Sequence, residues 1–233
     1  MVSIIGEYDV EKKIVDSRKE EIIDACEKLY KEIGFNNVNI KLIGENISFS
    51  RTSIYNYFAT KEEIFLALVA REYLKWNKEL LKIYESEGLL KDELIEKIAT
   101  SLSKRKILLK LISMNMYEME ENSSYENVKK YKMAYTESVN ILKKCIIKFL
   151  NKNDEEATNI VFTFFPFMIG IYPYSAVTKK QRKAIEELGF KYAYYTDYNL
   201  IKMGLECIFR RLIMKKTLLF LNLKRLLRLL NND

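Results

Sequence analysis

Helix breakers are scarce in this chain: 233 residues hold only two prolines, Pro166 and Pro173, and seven glycines. Proline removes a backbone donor and glycine adds backbone entropy, so long stretches without either are free to run as helix. No strand-type alternation of apolar and polar residues competes with that reading, and no internal repeat stands out. Hydrophobic residues make up 48% and charged residues 30%, enough for a sizeable core and unlike a disordered or collagen-like chain. The expected fold class is all-α, either as one domain or as a small domain joined to a larger one.

Histidine is absent from the sequence. That excludes a Ser-His-Asp triad, a histidine general base and any histidine-ligated zinc or iron site. No phosphate-binding glycine loop and no nucleophile and base pair is visible either, so the chain is read as a non-enzyme without a cofactor or metal. The three cysteines, Cys26, Cys145 and Cys207, are odd in number, far apart and set among apolar residues. They read as buried, reduced thiols of a cytoplasmic protein. The first fifteen residues alternate charge with short apolar pairs and lack a signal-peptide core, which agrees with that compartment.

A net charge of +7 invites a nucleic-acid reading, but the location of the charge matters. Lys plus Arg against Asp plus Glu is 11 against 13 over residues 1–75, 21 against 18 over 76–207, and 7 against 1 over 208–233. The excess sits in the C-terminal tail, so a DNA-binding case for the N-terminal part must rest on particular residues.

Those residues are there. Ser17 with Glu20 has the spacing of a capping box, and Ile22, Cys26, Leu29, Tyr30 and Ile33 fall on one helical stripe that Gly34 ends. Asn39 can cap a short second helix carrying Ile40, Ile43 and Ile47. Ser50 can cap a third of about two turns, which runs into Tyr55, Tyr57 and Phe58. Thr60 to Glu63 is another capping box, opening a long helix through Ile64, Phe65, Leu68 and Tyr73 towards Trp76. Three such helices with short connections describe a helix-turn-helix unit whose recognition helix enters the DNA major groove.

The segment Gly34-Phe35, then Ile40 to Ile43, then Ser50-Arg51-Thr52-Ser53-Ile54-Tyr55-Asn56-Tyr57-Phe58-Ala59-Thr60-Lys61-Glu62-Glu63 resembles the signature of the tetracycline-repressor (TetR) family of bacterial transcriptional regulators. The resemblance covers about residues 17–65. It implies that Ser53, Tyr55, Asn56 and Tyr57 lie on the recognition helix, with Lys61 against a phosphate at the start of the next helix. Arg51 is either a phosphate contact or ordinary surface charge. Asn56 can pair with adenine or donate to a phosphate, and tyrosine hydroxyls commonly position the DNA backbone. Phe58 reads instead as a core residue. Three positions depart from the family pattern: Ser48 and Thr52 stand where small residues, glycine above all, are usual, and Ala59 where proline is. At Ser48 a positive φ would cost about 1 kcal/mol or more.

The resemblance further implies a larger helical domain for effector binding and dimerisation, giving residues 1–65 as the DNA-binding domain, 66–217 as the effector domain and 218–233 as a basic, Leu-rich tail. Breaks are expected at Gly88, residues 122–124, 151–154 and 173–178, and Gly189. Within the larger domain, Met114 and Tyr117 on one segment and Phe162, Phe165, Met168 and Tyr172 on another offer adaptable apolar walls with a few hydroxyls. They are candidate effector contacts, and ordinary core is the plainer reading of each; the helix carrying Phe162 can equally lie at a dimer seam. Residues 157–178 carry no charge and are long enough to span a membrane, but Pro166, Gly170 and Pro173 with scattered polar residues favour a buried helix. The basic tail can extend the dimer, lie on a membrane surface or be a non-native or disordered extension. The function expected is a repressor that binds palindromic operator DNA as a homodimer and is released by a small, largely apolar effector. The alternative is a helical protein at a membrane surface that binds no DNA.

Overall fold

The computed structural model describes residues 2–189 and 191–210. Its elements in chain order are α1 (Val2–Ile33), a 3-10 turn (Phe35–Asn37), α2 (Ile40–Gly44), a second 3-10 turn (Arg51–Asn56) and α3 (Lys61–Glu85). They continue with α4 (Lys91–Ser103), α5 (Lys106–Met114), α6 (Met116–Glu121), α7 (Tyr125–Leu150), α8 (Asp154–Ser175), α9 (Lys179–Glu187) and α10, over 197–210. Among the described residues there is no strand, and the fold is all-α as expected. The tail at 218–233 lies outside the described residues.

Two compact units emerge. The first joins Met1–Leu74 to Met114–Thr136, and the second joins Lys75–Ser113 to the chain from Glu137 onward. Helices α3 and α7 each belong to both.

In the first unit, α1 starts at Val2 rather than at the Ser17–Glu20 pair. Residues 2–16 contain one glycine and no proline, so nothing forces a start at Ser17. Glu20 instead reaches Arg71. The stripe on α1 buries Ile22, Cys26, Leu29 and Tyr30, whereas Ile33, in the last turn, is exposed. Gly34 ends the helix with φ +77°, its amide donating to the Tyr30 carbonyl at 3.1 Å. Phe35 and Tyr30 both pack on Phe65, with ring centroids 4.5 and 5.4 Å away. Burying an aromatic of that size contributes about 1.5–3 kcal/mol.

In the second unit, Trp76 is fully buried; its indole N–H donates to Ser101 Oγ at 3.1 Å, and that hydroxyl donates to the Ile98 carbonyl. The Trp76 ring lies 6.1 Å from that of Phe165 on α8. Buried Asn77 donates to Glu137 and accepts from Ser138, so the amide is satisfied from α7. Helix α8 starts with a capping box in which Asn153 accepts from the Glu156 amide at 2.8 Å. It then runs through Pro166 and Pro173 and ends at Ser175, inside the break expected over 173–178 but two residues past the proline. Both prolines face outward, where the carbonyls that lose an amide partner are not sealed in the core. Two further breaks, at Lys104–Arg105 and at Asn115, carry no glycine or proline and were not legible. Gly204 of α10 sits against α8 so closely that a Cβ there would lie 2.3 Å from the Phe167 ring. No single helix among the described residues is long and apolar enough to cross a membrane. Cys26 and Cys145 are buried, and burial pushes both thiols up, Cys145 to about 12. Cys207 departs from expectation by being exposed, because it falls on the outer side of α10 with Met203.

Candidate nucleic-acid interface

The helix-turn-helix is built from α2, the Arg51–Asn56 turn and the connection between them. Asn39 caps α2 as expected, its side chain accepting from the Leu42 amide at 3.0 Å. The expected third helix is present at two turns' length but in 3-10 form, with Ser53 N–H donating to the Ser50 carbonyl and Tyr57 N–H to that of Ile54. Ser50 does not cap it through its side chain. Its hydroxyl is shared with those of Ser53 at 2.7 Å and Thr52 at 3.0 Å.

Ser48 does not adopt a positive φ, the only non-glycine to do so among the described residues being Asn151. The strain expected at this turn is therefore absent. Glu21 of α1 replaces it: one carboxylate oxygen accepts from the Ser48 amide and the other from the Ser48 hydroxyl at 3.0 Å. Glycine is required one step earlier. A Cβ at Gly44 would lie 2.6 Å from Arg51 Cγ and 2.8 Å from its Cβ, so α2 and the recognition turn touch backbone against side-chain stem.

The recognition turn has two sides. Ile54 and Phe58 are buried, and Arg51, Tyr55 and Asn56 are exposed, with Tyr55 at 58%. None of these three makes a side-chain hydrogen bond among the described residues, so their polar groups are available to a partner. Tyr57 is half-buried with its ring 6.5 Å from that of Phe49, and the Arg18 guanidinium lies 5.3 Å from the Phe49 ring centre. Ser53 is half-buried and engaged with Ser50. Lys61 lies over the Phe35 ring at 4.8 Å and donates to the Phe35 carbonyl at 3.3 Å. Its ammonium has three donors, so one such bond leaves capacity for a phosphate.

Sequence reasoning missed the side chains that hold this unit together from a distance. Arg71 of α3 binds Glu20, Asp24 and Glu27 of α1 at 2.9, 2.6 and 2.6 Å. The acids at i, i+4 and i+7 form one stripe, which is a signal for a basic partner. Burial lowers the Arg71 pKa, and the Glu20 and Asp24 carboxylates more than reverse that, leaving it raised. Glu63, 4% exposed, accepts from the Ala59 amide at 2.7 Å and the Ser124 amide at 3.0 Å. Burial pushes its carboxyl up, but those amides outweigh it and hold the group below the usual range.

The six candidate effector residues do not converge on one described cavity. Phe165 and Met168 are buried in the second unit and Tyr172 is half-buried there, whereas Phe162 is exposed on α8. Met114 and Tyr117 are exposed in the first unit, Tyr117 at 81%. Three open grooves of about 350–440 Å³ occur in the second unit, among other residues. One follows α8 into α9 past Tyr174, Ile185 and Tyr192.

Comparison with known proteins agrees with this geometry. Residues 22–68 match the profile of bacterial regulatory proteins of the tetR family, and residues 70–195, over half the chain, match that of the tetracyclin repressor-like C-terminal domain. YfiR of Bacillus subtilis (strain 168), an uncharacterized HTH-type transcriptional regulator, is 35% identical over 60 residues, which span 26% of this chain and 29% of that protein. The match thus covers under a third of the relative's length. Three solved structures share the fold with TM-scores of 0.55. They are the fatty acid degradation regulator FadR of Bacillus halodurans (14% identity, 82% of this chain and 94% of that one), FadR of Bacillus subtilis in complex with stearoyl-CoA (17%, 81% and 96%) and a TetR/AcrR-family regulator of Thermobifida fusca (16%, 83% and 97%). With both profiles matched in order across a helix-turn-helix and a larger helical region, the chain belongs to the tetR family of DNA-binding bacterial transcriptional regulators.

Proposed function

We propose that the chain is a homodimeric repressor that reads a palindromic operator through Arg51, Tyr55 and Asn56, with Ser53, Tyr57 and Lys61 contributing positioning contacts. The observation that carries this reading is the two-sided recognition turn: Ile54 and Phe58 anchor it, and the exposed side presents a guanidinium, a phenol and an amide. Those groups suit phosphate and base-edge contacts.

One subunit holds one such turn, and a two-fold operator needs two about 34 Å apart. The dimer seam is assigned to α8 and α10. Along α8 the exposed residues Asn159, Phe162, Thr163, Pro166, Ile169, Gly170, Pro173 and Tyr174 form a face without a charge, and Met203 and Cys207 add to it from α10. The close approach at Gly204 and Phe167 makes the two helices neighbours, so their exposed sides can form one surface. Depletion of charge over a helix-pair face is what a dimer core requires.

The effector is a small, largely apolar molecule. Phe165, Met168 and Tyr172 are kept as its contacts within the second unit, with Phe162 assigned to the seam and Met114 and Tyr117 left out of the site. FadR of Bacillus subtilis holds stearoyl-CoA in the same fold, so a fatty acyl-CoA is the first probe to try.

Selection of bound DNA from a random pool tests the reading. A palindromic sequence should be enriched, and Tyr55→Ala and Asn56→Ala should each weaken its binding by about 1–3 kcal/mol without loss of helicity. Enrichment of nothing, or unchanged affinity in both variants, refutes it.

A further inference from the structure

Glu63 lies five residues beyond the buried Phe58, with Ala59 and the cap Thr60 between, and its carboxylate takes two backbone amides. One oxygen accepts from the Ala59 amide at 2.7 Å, at the exit of the turn. The other accepts from the amide of Ser124 at 3.0 Å, 61 positions further along the chain. Ser124 immediately precedes α7, and its carbonyl receives the Val128 amide that opens that helix. A second tie runs beside the first: Thr60 Oγ1 accepts from the Glu63 amide at 3.2 Å and donates to the Asn122 carbonyl at 3.0 Å.

Ordinary helix capping accounts for only half of this. A glutamate in the third helical position needs one backbone amide near its own cap, and Ala59 supplies it. The bond to Ser124 adds nothing to α3 and is made to another element. The Ala59 end is also particular to this chain, because proline is usual at that position in the family and would offer no N–H. Glu63 is almost fully screened from water, and the Ser124 and Asn127 side chains on the α7 side also hydrogen-bond its carboxylate, so its ties to that element are several.

We propose that Glu63 is a positioning residue that pins the exit of the recognition turn to the start of α7, so that a displacement of α7 is passed to the DNA-contacting face. The bond is made within the first unit, and α7 continues from it to Leu150, well into the second. The long helix α3 leaves the motif directly and runs on past Leu74 into the second unit, which makes it one lever between DNA and effector. The clamp makes α7 a second one, and α3 and α7 cannot move independently at their N-terminal ends while it holds. This inference rests on the regulator reading above for its consequence at DNA, though not for the clamp itself.

Both ends can be removed without touching Glu63 or any DNA-contacting side chain. Ala59→Pro deletes one donor with a residue the family tolerates there, Ser124→Pro deletes the other, and Glu63→Gln leaves an oxygen for only one amide. The full chain is compared by amide hydrogen exchange and by binding to the selected operator. In Ser124→Pro, exchange over residues 55–60 should quicken although the substitution lies far away in sequence. Each variant should lose about tenfold in operator affinity, a typical coupling between sites, and the Ala59→Pro/Ser124→Pro pair should lose no more than the worse single variant. Protection of residues 55–60 unchanged in Ser124→Pro, or additive losses in the pair, overturns the clamp. If the wild-type chain selects no DNA, the regulator reading fails, and the exchange result still decides whether the clamp exists.

Discussion

Replacing Arg71 by methionine is the sharpest test of what holds the DNA-binding unit together. The guanidinium bridges α1 and α3 through three carboxylates in two different settings. Glu27 is 18% exposed, and its bond to Nη2 is a sheltered charge-assisted one of the kind that contributes about 1.5–3 kcal/mol. Glu20 and Asp24 are 58% and 69% exposed, and such pairs contribute only about 0.2–1 kcal/mol each. The sum is about 2–5 kcal/mol. Methionine keeps most of the apolar stem, so the loss is that of the charge interactions, and Glu20 and Asp24 then repel one another along α1 while Glu27 keeps Lys31 at 2.6 Å.

The measurement is native-state hydrogen exchange of α1 amides in a urea series, because a chain with two units has no single unfolding free energy. Arg71→Met should lower α1 protection by about 2–4 kcal/mol, and Glu27→Gln should cost more than Glu20→Gln or Asp24→Asn. Arg71→Lys should recover less than half, because an ammonium cannot present a planar fork to three acids. At 1 M salt, where screening acts over about 3 Å, the two exposed pairs should fade and Glu27 persist. A loss under about 0.5 kcal/mol for Arg71→Met, or equal costs at the three acids, refutes this division of the network.

Two shorter predictions follow from the same unit. Gly44→Ala should destabilise it by about 1–3 kcal/mol and weaken operator binding, since the added Cβ meets the base of the Arg51 side chain rather than its movable end; unchanged thermal stability with unchanged affinity would count against that contact. Because the Glu63 carboxyl is held below its unfolded value of about 4.3, its contribution is present above that pH and is lost as pH falls through the folded value, so Glu63→Gln should flatten the acid side of the stability profile below about pH 5.

Local chemistry was readable from the sequence and distant chemistry was not. Asn39 and the Thr60–Glu63 box act within four residues, and their spacing alone placed the starts of α2 and α3 correctly, although α2 ends at Gly44 and leaves Ile47, expected on it, in the connection that follows. Ser17–Glu20 had the same spacing and capped nothing, because a capping box marks a start only where the preceding chain cannot stay helical. Periodicity identified that Phe162, Phe165, Met168 and Tyr172 share a helix. It could not say which side faces inward, and Phe162 is exposed where Phe165 is buried. The partners Glu21–Ser48, Glu20–Arg71 and Glu63–Ser124 are 27, 51 and 61 residues apart, and no local pattern encodes such a pair.

Those distant partners share a property that bears on how the motif evolves its specificity. Glu21 holds the turn before the recognition element through Ser48, Gly44 sets how closely that element lies on α2, and Glu63 holds its exit through Ala59. They act on backbone, on the stem of the Arg51 side chain and, at Ser48, also on a hydroxyl outside the turn, and none uses an outward-facing polar group of the turn. The conformation of Arg51, Tyr55 and Asn56 is therefore fixed by residues that DNA need not touch, and their polar ends carry no share of the internal hydrogen bonding. In a motif held together by its own reading residues, each change of sequence preference would cost stability. Here the two are separated, because the supports lie on α1, on α2 and at the start of α3, outside the six residues of the recognition turn itself.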